Sequence, residues 1–120
     1  MVGVDALFRR LGPGGREIWC HLVCDDFSLD GLEELHRMAG CLGLPRWRLH
    51  DPPGKPRPHY DLTPELRVRA LELGAVELTR RELVIWLHRG RATLAFSRAQ
   101  LTVGQVVTDL KSGLVLPERD

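Results

Sequence analysis

The residues of this chain best suited to chemistry are His21, His36, His59 and Asp61, with Tyr60 between the last two. In an extended His59-Tyr60-Asp61 segment the imidazole and the carboxylate project to one side and the phenol to the other, because side chains alternate along a strand. Such a pair presents two metal ligands or an oriented base. His21 falls in an alternating run, and His36 lies at the border of an apolar helical stripe, so three separate elements must be folded together before these groups can cooperate. Gathered in one pocket, His21, His36 and Asp61 would hold a divalent metal that polarises a phosphoryl or carbonyl oxygen. Without metal, a histidine near neutral pH would serve as general acid or base, and in either case Tyr60 would donate a hydrogen bond. The competing assignment is structural: His21 hydrogen-bonded in a half-buried strand, His36 covering a core edge, Asp61 helping to cap the helix that follows.

Other polar groups are weaker candidates. Asp5 and Asp25 each follow an expected strand, and at a shared sheet edge they would offer carboxylates to magnesium or manganese, although acidic residues also end strands and begin turns. The segment Arg46, Trp47, Arg48, His50, Lys55, Arg57, His59 and Tyr60 interleaves cations with aromatics, as a surface that pairs phosphates and stacks bases does. A solvated arginine and proline loop anchored to the core by Trp47 has the same composition, and is the preferred reading. Cys20 and Cys24 are too far apart in an extended run to share one zinc, and read as buried small hydrophobes. His50 and His88 have polar neighbours and receive no role, and Trp86 belongs to an apolar helical stripe.

The elements that must position these residues are marked by turn and cap signals. Val2 to Asp5 reads as a strand, Gly12-Pro13-Gly14-Gly15 as a flexible turn, and Ile18 to Cys24 as a strand with Ile18, Cys20, Leu22 and Cys24 toward the core. Ser28 or Asp30 opens a helix that Gly43 stops. The five prolines between Leu44 and Pro58 make a long loop. Thr63-Pro64 starts a second helix, ended by Gly74, and Ala75 to Leu78 is a short strand. Thr79 and Glu82 stand at capping-box spacing before a third helix, expected to end at Gly90. Ala92 to Phe96 reads as a further strand, and Thr102 with Gln105 as the start of a last helix carrying Val103, Val106, Val107 and Leu110 and ending at Gly113. Strands interleaved with helices predict an α/β fold, a single domain with a small, mostly parallel sheet and flanking helices.

Composition bounds the answer without naming a reaction. A chain of 120 residues, 43% hydrophobic and 28% charged, suits one globular core and excludes global disorder. A formal charge of +1 supplies no global field toward nucleic acid or anionic lipid, so any such partner must be held locally. The apolar runs are too short for a membrane span, no export signal opens the chain, and an odd number of cysteines suits a reducing compartment, so the expectation is a soluble, cytoplasmic protein.

The run Trp19-Cys-His-Leu-Val-Cys-Asp25, followed by Leu32-Glu-Glu-Leu-His36, Gly43-Leu-Pro45, Pro58-His-Tyr-Asp-Leu62, Leu73-Gly-Ala-Val76 and Arg81-Glu-Leu83, resembles domain of unknown function family 4031, found in small bacterial and phage proteins. The likeness spans about residues 2 to 90. It implies no assigned reaction, but it carries over Trp19, His21, Glu34, His36, His59, Tyr60 and Asp61 as motif positions. On this reading residues 1–90 form the α/β domain and 91–120 a C-terminal supplement packing on it.

The leading expectation is therefore a pocket in which His21, His36, His59 and Asp61 act on a small phosphorylated ligand, binding or hydrolysing it, with Trp19, Glu34, Tyr60, Arg46 and Arg48 as binding residues. A metal is an open part of that expectation. The alternative is a non-catalytic module that uses the 44–60 loop on nucleic acid or a protein, nucleic acid being the less favoured partner. A third reading is self-association through the C-terminal segment.

Overall fold

Glycine and proline turn the first part of the chain back on itself. The computed structural model describes residues 1–111, with side chains through residue 101. In it β1 (Val2–Val4) and β2 (Phe8–Gly12) both pair antiparallel with the long strand β3 (Gly15–Cys24). Gly12 faces Gly15 across a hairpin tip made of Pro13 and Gly14, and Gly15 takes a φ of 101°, which a residue with a Cβ adopts only under strain.

Among the described residues five strands form one sheet, and it is mixed rather than mostly parallel. β4 (Tyr60–Leu62) joins β3 antiparallel, and only β5 (Val76–Glu77), beside β1, pairs parallel. The physical reason is connection length. A two-residue turn can only return a strand antiparallel, whereas a parallel neighbour needs a crossover of about a dozen residues or more. β2 itself carries no apolar alternation, because Arg9, Arg10 and Leu11 are all exposed on a solvated ribbon.

The junction of β1 and β2 has one residue too many. Val4 faces Leu22 and Phe8 faces Trp19, so residues 5, 6 and 7 span the interval that Cys20 and His21 fill on β3. This excess of one is the signature of a β-bulge, a device that re-aims a side chain. The bulge begins just past Asp5, which the register of β1 already sets opposite His21, with the Asp5 N–H donating to the His21 carbonyl at 3.2 Å.

Both faces of the sheet are covered. On one, Val4, Cys20, Leu22, Tyr60 and Leu62 are fully buried with Leu35 and Ala39 of α1 (Leu29–Cys41) and Ala70 of α2 (Pro64–Glu72). Burial pushes the Cys20 and Cys24 thiols up to about 12, so both behave as the small hydrophobes expected. On the other face, Val23 packs with Leu78, Trp86 and Leu83.

Local cap chemistry sets the helix starts. Ser28 accepts from Gly31 N–H, Thr63 accepts from Leu66 N–H with Pro64 in the first turn, and Thr79 and Glu82 exchange reciprocal bonds of 2.9 and 3.1 Å. The third helix departs from expectation. α3 runs unbroken over Arg80–Lys111, through Gly90, through the expected strand at 92–96 and past Thr102. Gly90 is there for clearance: a Cβ on it would lie 2.5 Å from the Phe27 ring, which is buried against this helix while its N–H donates to Thr93 Oγ1 at 2.9 Å. The side chains of Val103, Val106, Val107 and Leu110, and the expected stop at Gly113, lie outside the described residues. No helix among the described residues is long and apolar enough to cross a membrane.

Candidate metal centre and adjoining cleft

The register of β3 against β4 builds the site. His21 sits directly opposite Asp61, and directly opposed residues project from the same face of a sheet. Alternation along β4 sends Tyr60 and Leu62 into the core, and His59 joins Asp61 and His21 on the other face. Asp61 Oδ1 lies 4.0 Å from His21 Nε2 and 3.7 Å from His59 Nε2, and one ligand atom from each residue falls within 4.8 Å of the others.

The far side of each imidazole is already committed. Asp5, opposite His21 in the register of β1 with β3, accepts from the His21 backbone N–H at 2.6 Å and lies 2.7 Å from His21 Nδ1, while His59 Nδ1 lies 2.8 Å from the Arg57 carbonyl oxygen. A carbonyl or a carboxylate can only accept, so both Nδ1 atoms carry hydrogen, and in its neutral form each ring presents its Nε2 lone pair. Three electron-rich atoms thus converge with no donor between them. Burial holds the His59 imidazole below its ordinary value; its bond to Arg57 and the Asp61 charge oppose this, and His21 and His50 reinforce it. Divalent metals take imidazole nitrogen and carboxylate oxygen at about 2.0–2.2 Å, which puts neighbouring donors roughly 3 Å apart. The observed spacings of 3.7 and 4.0 Å, within an overall 4.8 Å, would close to that by side-chain rotations of about 1 Å or more. The ring of Phe8, stacked on His21 with centroids 4.9 Å apart, restricts where that imidazole can go.

His36 and Tyr60 belong to the opposite face. Their Nδ1 and hydroxyl oxygen are 2.6 Å apart, and burial both lowers the His36 pKa and raises that of Tyr60. The structure therefore brings His21, His59 and Asp61 together and leaves His36 and Tyr60 as a pair across the sheet. Glu34 lies 3.3 Å from the N-terminal ammonium, and Arg46 grips Glu33 through two bonds of 2.6 and 2.7 Å. Asp5 and Asp25 do not share an edge, because antiparallel pairing of β1 with β3 sends them to opposite ends; Asp25 instead holds the N-terminal ammonium at 2.8 Å and Arg89 at 3.4 Å.

Asp61 also faces a second space. A cleft of about 420 Å³ is lined by Arg10, Trp19, Trp47, Arg48, Leu49, His50 and Asp61. Arg10 lies 3.6 Å from Asp61 Oδ2 and stacks over Trp19 at 4.8 Å, and Arg48 stacks over Trp47 at 5.2 Å. Trp47 does not anchor its loop to the core: it is 78% exposed, and Leu49 makes the core contact. On the other side of the two histidines, His21, Val23, Arg57, His59, Leu83 and Leu87 enclose a hollow of only about 80 Å³.

A family model described as Protein of unknown function (DUF4031) matches residues 5–90. The chain belongs to this family. No curated protein and no solved structure matches it. The matched span of DUF4031 includes Asp5, His21, His59, Asp61 and the whole of the 44–60 loop, and it ends inside α3. The placements of Arg10 and Asp5 leave no local trace in the sequence, since Arg10 depends on the β2 hairpin and Asp5 on the pairing of β1 with β3.

Proposed function

We propose that this protein is a metal-assisted hydrolase of a small phosphorylated ligand, with His21 Nε2, His59 Nε2 and Asp61 holding a divalent cation. The observation that supports it is the convergence of those three ligand atoms while each histidine's Nδ1 is fixed by an acceptor behind it. A carboxylate or carbonyl behind a ligating histidine fixes its tautomer and raises its basicity, as in metal centres generally. The cation would polarise a phosphoryl oxygen and lower the pKa of its water. Hydrolysis there would join the water's oxygen to phosphorus and break the P–O ester bond, the proton that water gives up ending on the leaving oxygen. Arg10, 3.6 Å from Asp61 and 45% exposed along its side chain, would pair with the phosphate. His36 and Tyr60 have no part in this chemistry.

The test is metal content after purification without chelator, together with hydrolysis of bis(p-nitrophenyl) phosphate and of nucleotides by wild type and His59→Ala. About one divalent ion per chain and turnover lost with EDTA and in the variant are expected. Absence of both metal and turnover in the wild type removes the reading.

A further inference from the structure

The cleft of about 420 Å³ beside Asp61 shares a wall with the proposed metal centre, and its lining is more specific than a phosphate alone requires. Isolated exposed apolar residues are ordinary on protein surfaces, so the exposure of Trp47 by itself carries nothing. What sets it apart is how firmly it is held. It lies in a 3₁₀ turn, Arg46–Arg48, closed by bonds of 3.0 Å from Arg48 N–H to Pro45 and from Leu49 N–H to Arg46. The residue before it is clamped to Glu33, and two residues later Leu49 packs on the core. His50 then exchanges two backbone bonds of 2.9 and 3.0 Å with His59, a proposed metal ligand. An indole held out in water on a turn pinned at both ends is a platform whose ordering cost has already been met in folding.

The chemistry of the lining names its ligand. Trp19 and Trp47 offer stacking faces, each with an arginine at cation–π distance, and indole and guanidinium planes are the groups that stack on nucleic-acid bases. Arg10 and Arg48 against Asp61 leave the cleft cationic, and a bound divalent ion would make it more so. A volume of about 420 Å³ lies in the range of small-ligand pockets. A chain of net charge +1 supplies no global field for a polymer, so an oligonucleotide would have to be held by this cleft's own arginines.

Resting on the metal-centre reading, we infer that this cleft takes the base of a nucleoside monophosphate, whose phosphate then lies at Arg10 and the His21, His59 and Asp61 cluster. Trp47 is a specificity residue: it chooses nucleotides over other phosphate esters and leaves metal binding alone.

Calorimetric titration of the full chain with Mn²⁺, and then of the Mn²⁺-loaded protein with adenosine 5′-monophosphate, ribose 5-phosphate and a ten-nucleotide oligothymidylate, separates the outcomes. The monophosphate is expected to bind about tenfold or more tighter than ribose 5-phosphate, in keeping with the strength of base stacking on one aromatic ring. Trp47→Ala should remove that preference without changing affinity for Mn²⁺ or ribose 5-phosphate, and Trp47→Phe should restore most of it. Equal binding of the two phosphates, a preference that survives Trp47→Ala, or tight oligonucleotide binding with none of the monophosphate would each overturn the inference. Failure of the metal-centre reading looks different: the wild type takes up no Mn²⁺. Base preference persisting in that case overturns the metal centre and supports the cleft.

Discussion

Replacing Asp5 by asparagine is the sharpest probe of how the proposed centre is built. The Asp5 carboxylate uses both oxygens on His21, one on the backbone N–H at 2.6 Å and one toward Nδ1 at 2.7 Å, with only 11% of its side chain exposed. Asparagine has one acceptor. If its oxygen keeps the backbone N–H, its NH₂ faces Nδ1, and the imidazole satisfies it only by moving its proton to Nε2, the atom a metal needs. Binding must then reverse that tautomer and leave two donors facing each other. Loss of such an orienting partner typically costs 10–100-fold in metal affinity, or about 1.4–2.8 kcal/mol. At a free metal concentration about 100 times the wild-type Kd, binding stabilises the fold by about 2.7 kcal/mol, and the variant would retain roughly 0.4–1.4 kcal/mol. At roughly 4 °C per kcal/mol for a domain of this size, the metal-induced rise in Tm falls from about 11 °C to about 2–6 °C. Scanning calorimetry with and without Zn²⁺ or Mn²⁺ reads this increment, and titration calorimetry gives the affinity itself. The increment is the right quantity because the unloaded variant also loses about 1–3 kcal/mol from a broken buried hydrogen bond. Metal affinity within twofold of wild type would refute the claim that Asp5 sets the His21 tautomer.

Two further outcomes follow from packing and protonation. Gly90→Ala should destabilise the protein by about 1–2 kcal/mol in urea unfolding: the helix gains about 1 kcal/mol in propensity, but crowding the buried Phe27 ring costs more, and a stabilised variant would contradict the close approach. His36, whose imidazole is held below its ordinary value by burial and then by Arg46, stays neutral in the fold at a pH where the unfolded chain already binds a proton. Its contribution to stability is therefore complete above about pH 6.5 and is lost as the pH falls through the lowered value; His36→Gln should flatten the wild-type decline between pH 7.5 and 5.5, and an unchanged decline would remove His36 as its source.

Much of the local structure was legible in short stretches of chain. Thr79 with Glu82, Thr63 before Pro64, and Ser28 begin helices because an N-cap satisfies backbone donors only two or three residues away. The alternation in β3 announces Cys20, Leu22 and Cys24 as core for the same reason of short range, but Ile18, expected with them, is 43% exposed because there β3 pairs only with the solvated β2 ribbon. His59 and Asp61 were read as sharing a side, and they do. The ordered motifs of the first 90 residues also carried the family, whose span is residues 5–90.

Local signals misled where one residue type serves two purposes. Gly90 has the composition of a helix stop, yet its use is to let Phe27 approach α3, a contact with a residue far back in the chain. Gly12 to Gly15 looked like a flexible break and is the tip of a hairpin, which made the sheet mixed.

What the amino-acid sequence determined by itself is where elements begin, which side of each is apolar, and which residues have usable chemistry. The tertiary structure alone decided which of them meet. His36 was separated from His21 and His59 by the thickness of a sheet, and Asp5 was brought to His21 by the antiparallel register of β1 with β3. Caps and alternation act over a few residues and so leave a local trace. Strand register and the placement of a bulge are contacts between segments far apart in the chain, where a shift of one residue moves every side chain to the other face and leaves the composition unchanged.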